Sequence, residues 1–308
     1  MGVTNTAEEF TWMMRRQWAA CRASGGHMAL FDLHGGYYDD PDILRGVKEL
    51  ETLSAQVGPA QSGGGAAEIT VVLDEDSCHF VRFRDTLLQL LLIQQLGEFP
   101  FVAPFAFRVG PLADLAPETK LVVFLNQFKL TAAERTRQHE LLQKHHATAL
   151  YLAAPGYFAE EGEAPAIANI EATLGMKLKQ PARPLTGMKF SIEGAEVQWP
   201  YADVFVVDDP AAEIVAASGL PEGGAAVAQT SHDGVRTVFS GTGPLPRGYL
   251  RRLAREAGVH LYHARPEDSM YCDGRFLAIA GSKEPGPRII TLPKGQCCAM
   301  PSRTKRSV

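Results

Sequence analysis

The chain has 308 residues, of which 45% are hydrophobic and 21% are charged, and its formal net charge is −5 at pH 7. The length suggests about two domains, and the negative charge argues against a nucleic-acid surface. The longest mainly apolar run, Leu87–Ile93, is too short to span a membrane. The five cysteines are odd in number and scattered, so we expect reduced thiols in a cytoplasmic protein.

Residues 1–57 form a first block whose predicted order is helix, strand, loop and helix. Apolar residues at helical spacing predict a helix over Ala7–Ala23, with Thr6 as its cap. An apolar run predicts a strand over His27–Leu33, and a second helix is predicted from Pro41 to about Val57. This order is that of the closing unit of a β/α barrel, in which active residues lie at the carboxyl ends of strands.

Polar and aromatic side chains directly follow the predicted first strand, in the stretch FDLHGGYYDDP. Carboxylates accept protons from sugar hydroxyls, and aromatic rings stack on sugar faces. We therefore predict that Asp32, His34, Tyr37 and Tyr38 form part of a carbohydrate subsite. The alternative is a loop in which the aspartate caps backbone amides and the tyrosines pack on the surface. Glycoside hydrolysis needs two facing carboxylates, and the two aspartates that follow are expected to cap the second helix, so no catalytic residue is predicted.

Residues 58–67, GPAQSGGGAA, are a linker by composition. Strands and helices alternate after it, which predicts βαβ units and an open parallel sheet. The predicted strands are Glu68–Leu73, Val102–Arg108, Lys120–Leu125 and Ala147–Ala153, and the predicted helices are Phe83–Gly97, Thr131–His146 and Ile167–Gly175. The first of these helices is apolar on most faces, so we expect it to be buried or covered by a partner.

From Pro181 the pattern changes to short strands, around Met188–Ile192, Asp203–Val207, Ala225–Thr230 and Arg236–Phe239. His232-Asp233-Gly234 predicts a hairpin turn between the last two. A basic helix over Gly248–Ala257 and a strand over Val259–His263 are predicted next. The remainder, from Tyr271 to Leu292, is predicted to form short strands.

Nucleophilic catalysis on an open sheet would need a sharp strand-to-helix turn that carries a serine or cysteine. Neither Lys120–Leu125 nor Ala147–Ala153 is followed by such a residue. Cys78 precedes His79, but adjacency alone does not make a catalytic dyad, so we interpret Cys78 as a packed thiol. The SGTGP stretch at 240–244 lacks the phosphate-loop pattern and is interpreted as an ordinary turn. We expect no cofactor and no metal.

The order of several motifs resembles the C-terminal half of β-galactosidase-like glycoside hydrolases related to family 42. The motifs are FDLHGGYYDDP, EITVVLDEDS, KLVVFLNQF, ALYLAAPGY and SGTGPLPRGYLRRLAREAGVHLY, and together they cover nearly the whole chain. In that family a catalytic β/α barrel is followed by a trimerisation domain and a small β domain. The trimerisation domain is an α/β domain with an open parallel sheet of the flavodoxin or class-I glutamine-amidotransferase-like type.

The resemblance implies a division of the chain into a barrel remnant at 1–57, a linker at 58–67, a trimerisation domain at 68–265, a small β domain at 266–296 and a tail at 297–308. It places Asp32–Tyr38 at the last barrel strand, and it implies that the two catalytic glutamates would lie before Met1. It also implies an amidotransferase-like domain without a working catalytic triad.

These observations predict a non-catalytic part of a β-galactosidase-like glycoside hydrolase, which serves assembly and contributes one loop to a carbohydrate site. We expect the isolated chain to be inactive and to form a homo-oligomer, with a trimer as the expected state, and we expect no nucleic-acid or membrane partner. The alternative is a stand-alone oligomerisation module without sugar binding. An amidotransferase-like enzyme that uses Cys78 is a third hypothesis. The first block is expected to dock loosely and to be less stable than the sheet domain.

Overall fold

The computed structural model describes residues 5–32, 35–36, 38–59, 67–81, 87–160, 164–182, 187–200, 204–282, 284 and 286–295. Within these ranges no helix has the length and apolar character that crossing a membrane requires.

The first block contains the two predicted helices, α1 (Ala7–Ala23) and α2 (Pro41–Val57), with the predicted bounds. Local signals explain both starts. The side chain of Thr6 accepts a hydrogen bond from the backbone N–H of Glu9, and Asp40 caps α2 with Pro41 in its first turn. Because each signal acts within a few residues of the helix start, sequence was sufficient to place these helices.

The strand predicted over His27–Leu33 is wrong for its described residues, 27–32, which have no regular secondary structure. A strand exists only where a neighbouring strand accepts and donates its backbone hydrogen bonds. None of the described strands pairs with this segment. The described part of the apolar run, 27–32, is therefore irregular.

The remaining helices are α3 (Ala132–Lys144), α4 (Ile167–Leu174) and α5 (Arg247–Glu256). The strands are β1 (Ile69–Leu73), β2 (Phe105–Val109), β3 (Leu121–Phe124), β4 (Thr148–Leu152), β5 (Leu178–Lys179), β6 (Met188–Ile192), β7 (Ala195–Trp199), β8 (Val206–Val207), β9 (Glu213–Ala217), β10 (Ala225–His232), β11 (Val235–Ser240), β12 (Ser269–Cys272) and β13 (Leu277–Ala280).

The fold is α/β, built on a nine-stranded sheet of the described residues whose path runs β2-β1-β3-β4-β11-β10-β8-β5, with β9 paired to β10. The five strands from β2 to β11 are parallel. The predicted open parallel sheet is thus confirmed for this half, whereas β10 and the short strands beyond it pair antiparallel. The β10–β11 hairpin turns at Asp233 and Gly234, which have φ of 48° and 79°, the two positive values that a tight hairpin turn requires.

Both faces of the inner strands β1, β3 and β4 are covered, and these strands are buried at every position except Leu73. On one face α3 and α4 bury Leu142 and Ile170, and on the other α5 buries Leu250 and Leu253. Strands covered on both faces lack the alternation of half-buried strands, and β4 is buried at every position. The hairpins β6–β7 and β12–β13 are separate two-stranded sheets.

Three further predictions need correction. The last of the short strands predicted between Tyr271 and Leu292 does not form, because residues 288–292 have no regular secondary structure. The described part of the helix predicted over Phe83–Gly97 winds mainly as a π-helix over Gln89–Gln95 and continues as a 3-10 helix over Leu96–Phe101. The segment Val259–His263 is not a strand. Its backbone is held by a side chain instead, because the N–H of His260 donates to the Glu68 carboxylate at 2.5 Å.

Candidate functional site

Of the four residues predicted as a carbohydrate subsite, the structure describes two. Asp32 is half-buried in the irregular segment that follows α1. The Tyr38 hydroxyl donates a 3.3 Å hydrogen bond to the carbonyl of Phe31, and its ring lies 6.0 Å from that of Phe10 on α1. Tyr38 is therefore brought beside the backbone that precedes Asp32. His34 and Tyr37 lie outside the described residues.

The acidic pair that follows has the predicted capping role at Asp40. One carboxylate oxygen of Asp40 accepts hydrogen bonds from the N–H groups of Asp42 at 2.7 Å and Ile43 at 3.3 Å. A carboxylate in this position is also favoured by the helix dipole. Because this oxygen binds the start of α2, Asp40 serves the local fold.

A second cluster of polar side chains lies where β1 and β3 end. The Asn126 side chain donates to the carbonyl of Asp74 at 2.7 Å and accepts from the Asp74 N–H at 2.9 Å. The Ser77 hydroxyl donates to the Asp74 carboxylate at 2.5 Å and accepts from the N–H of Lys129 at 2.9 Å. These bonds join the loops after two neighbouring strands and satisfy buried polar groups within the chain.

Cys78 is the only thiol in this cluster of described residues, and its surroundings disfavour the thiolate. Its sulfur lies 3.5 Å from the Asp74 carbonyl and 3.5 Å from the Asn126 side-chain nitrogen. Burial, together with the charge of Asp74, raises the pKa of the Cys78 thiol. His79, which follows it, is exposed. This environment matches the packed thiol predicted from sequence, since a reactive cysteine needs a lowered pKa.

The loops after β4 and β11 complete this edge of the sheet. Ala153 follows β4 with φ of 64°, and its N–H donates to the Ser240 carbonyl at 2.8 Å. After β11, a Cβ atom on Gly241 would lie 1.9 Å from the Phe205 carbonyl oxygen, so this position requires glycine. Gln95 bridges to the N–H and carbonyl of Leu245, which holds the end of the SGTGP turn from within the chain.

An apolar pocket of about 310 Å³ opens at the same edge of the sheet. Its described lining includes the aromatic side chains of Phe80, Phe128, Tyr157, Phe158, Trp199 and Phe205. Sequence analysis missed this site because the six residues come from loops and strands that lie far apart along the chain. Among the described residues, no group of three or more histidine, cysteine, aspartate or glutamate side chains is arranged to hold a metal ion.

No protein-family model and no curated protein matches the chain. Its structure is similar to that of Gan42B, a GH42 beta-galactosidase from G. stearothermophilus, with a TM-score of 0.61 at 14% identity. The beta-galactosidases from Rahnella sp. R3 and Marinomonas ef1 give TM-scores of 0.60 and 0.59, each at 12% identity.

These three alignments cover 87%, 87% and 89% of this chain, but only 43%, 45% and 44% of the respective enzymes. At such identities the similarity concerns the fold alone. The chain therefore has a GH42-related fold and spans less than half the length of the beta-galactosidases that it resembles.

Proposed function

We propose that this chain is the non-catalytic, C-terminal part of a β-galactosidase-like glycoside hydrolase, in which it serves assembly and contributes the loop of Asp32, His34, Tyr37 and Tyr38 to a carbohydrate site. The observation that carries the proposal is the structural match, which extends over about 87% of the chain and under half of each enzyme. A match of this extent is expected if the chain corresponds to one part of such an enzyme.

The order of the parallel strands supports a flavodoxin-type or amidotransferase-like assignment for residues 68–265. The path β2-β1-β3-β4-β11 corresponds to the strand order of flavodoxin-like doubly wound sheets, which reverses between the first and third strands. Ligands of such sheets bind outside the carboxyl ends of the strands. Here that edge presents Asn126, Ala153 and Gly241 at the ends of three strands, without a nucleophile at these positions.

Exposed apolar side chains support the assembly role. On the edge strand β2, Phe107 is 41% exposed and Val109 is 51% exposed, and Ile93 on the preceding π-helix is 68% exposed. Apolar side chains on an edge strand offer both hydrogen-bonding backbone and apolar surface to a second chain. We propose that this surface contributes to a homo-oligomer, with a trimer as the expected state. The same surface also suits the alternative, a stand-alone oligomerisation module that binds no sugar.

The test is to assay the purified chain with a chromogenic β-galactoside and to titrate it with galactose while recording backbone NMR spectra. The proposal predicts no turnover above the buffer rate, together with shifts at Asp32 and Tyr38 at millimolar galactose. The Asp32→Asn variant should lose these shifts, and Asp114→Asn, on an exposed loop, should keep them. Turnover that Asp32→Asn abolishes would contradict the proposal, and an absence of galactose shifts would favour the module without sugar binding.

A further inference from the structure

The apolar pocket at the carboxyl edge of the sheet lies where an open α/β sheet usually binds a ligand. Phe80 follows β1, Phe128 follows β3, Ala154 follows β4 and Gly241 follows β11, and all four line the pocket. The strand order reverses between β1 and β3, where ligands of such sheets usually bind. Hydrogen bonds join the loops after these two strands, and the loop after β4 supplies the largest share of the described pocket lining. None of the described lining residues belongs to the first block.

Aromatic rings of the pocket lining pack against one another. The ring centroids of Phe80 and Phe158 are 4.5 Å apart, and those of Tyr157 and Phe205 are 5.1 Å apart. Phe128 and Phe205 are buried, whereas Phe80 is 42% exposed. The lining therefore has buried rings at Phe128 and Phe205 and a ring that faces solvent at Phe80. Such rings offer flat faces and edges to a further ring at stacking distance.

The chemistry of the described lining favours an uncharged compound as the ligand. None of the described lining residues carries a charge, and Gln180 and Trp199 supply its side-chain polar groups apart from the Tyr157 hydroxyl. An ion transferred from water into such a site without a partner of opposite charge would lose several kcal/mol or more of solvation. An apolar ring instead gains free energy in proportion to the area that it removes from water.

The volume of the pocket restricts the size of the ligand. An apolar cavity of about 150 Å³ holds one benzene ring, and this pocket measures about 310 Å³. We propose that the pocket binds an uncharged aromatic compound of two fused rings. The ligand stacks against Tyr157 and Phe158 and reaches the side-chain amide of Gln180 with a polar edge.

Indole serves as the probe, because it is neutral, has two fused rings and carries one hydrogen-bond donor. Titration calorimetry of the full chain should show saturable binding of one indole. The Ala154→Leu variant should weaken this binding about tenfold or more, because the added isobutyl group occupies the pocket. The control is Ala133→Leu, which adds the same group at an exposed position on α3 and should leave the affinity unchanged.

A second variant, Phe158→Leu, removes an aromatic face but retains an apolar side chain, so that it tests stacking if Ala154→Leu fails to fold. It should weaken indole binding several-fold while the far-ultraviolet circular dichroism stays unchanged. The proposal is overturned if the wild-type chain shows no saturable binding of indole up to millimolar concentration. It is also overturned if a folded Ala154→Leu variant binds indole as tightly as Ala133→Leu does.

Discussion

The helix pair α1–α2 and the nine-stranded sheet use apolar residues in different ways. The inner parallel strands of the sheet are covered on both faces, and β3 is buried at all four positions. The helix pair and its connection leave Trp12 59% exposed, Phe31 74% exposed and Leu44 53% exposed. An apolar run thus becomes a strand only where a neighbouring strand completes its hydrogen bonds. The first block also leaves more of its apolar surface exposed to solvent than the inner strands of the sheet do.

The helix pair nevertheless contacts the β12–β13 hairpin, where the Arg22 guanidinium lies 3.3 Å from the carboxylate of Asp273. The same guanidinium donates to the carbonyls of Gly58 at 2.6 Å and Pro59 at 2.9 Å, which directly follow α2. Nearby, the rings of Trp18 and Phe276 have centroids 5.6 Å apart. The first block therefore packs against the β12–β13 hairpin, in addition to the packing of α1 on α2.

The largest effect is expected from Arg22→Ala, which breaks the attachment and leaves the fully buried carboxylate of Asp273 without this cation. Breaking a buried ion pair costs about 3–5 kcal/mol, and we expect that loss in the docking of the helix pair. Limited proteolysis should then release residues 1–57 faster than in the wild type. Arg15→Ala is the matched control, because its pair with Glu49 is exposed and is expected to contribute about 0–1 kcal/mol. Equal cleavage rates for the two variants would contradict this account.

A core substitution in the sheet and a surface substitution in the helix pair should differ in their effect on stability. Leu150 on β4 is fully buried, and Leu150→Ala should lower the free energy of unfolding of the sheet by about 2–5 kcal/mol. Urea unfolding, followed by circular dichroism, measures the change. Leu44→Ala on the exposed face of α2 should change the same quantity by less than about 0.5 kcal/mol. A similar loss in both variants would mean that the two regions are packed alike.

A smaller, pH-dependent effect is expected in the segment that follows β12–β13. Arg288 donates to the Asp268 carboxylate at 2.9 Å and lowers the pKa of Asp268 to about 2. Because the pKa is lower in the folded chain, this stabilisation is complete above the unfolded value of 3.8 and is lost as the pH falls towards 2.

The measurement is the free energy of unfolding of wild type and of Asp268→Asn between pH 5 and pH 2.5. The difference between the two proteins should shrink as the pH falls. A difference that stays constant over this range would contradict the assignment of the lowered pKa to Asp268.

Sequence was sufficient where the determinants are local. The capping residues of α1 and α2, and the Asp233-Gly234 turn, act within a few residues, and the structure has all three as predicted. It was insufficient where a distant partner decides the outcome. Residues 27–32 find no strand to pair with, and the backbone of His260 is bound by the side chain of Glu68 from 192 positions away.

The candidate sites follow the same rule. The capping role of Asp40 and the packed state of Cys78 depend on nearby residues and could be predicted. The aromatic pocket could not, because Phe80, Phe128, Phe158 and Phe205 come together only when the sheet has formed. The predicted role of Asp32 and Tyr38 in sugar binding stays a prediction.

Hydrogen exchange tests the central claim, that the helix pair is less stable than the sheet because it buries less of its apolar surface. Amides of α1 and α2 should exchange at least about tenfold faster than those of β3 under native conditions, since regions with fewer buried contacts open at lower free energy. Mass spectrometry of peptides from residues 7–57 and 119–125 compares the two regions within one sample. Equal protection of the helices and of β3 would show that the first block is a completed unit and would contradict the account.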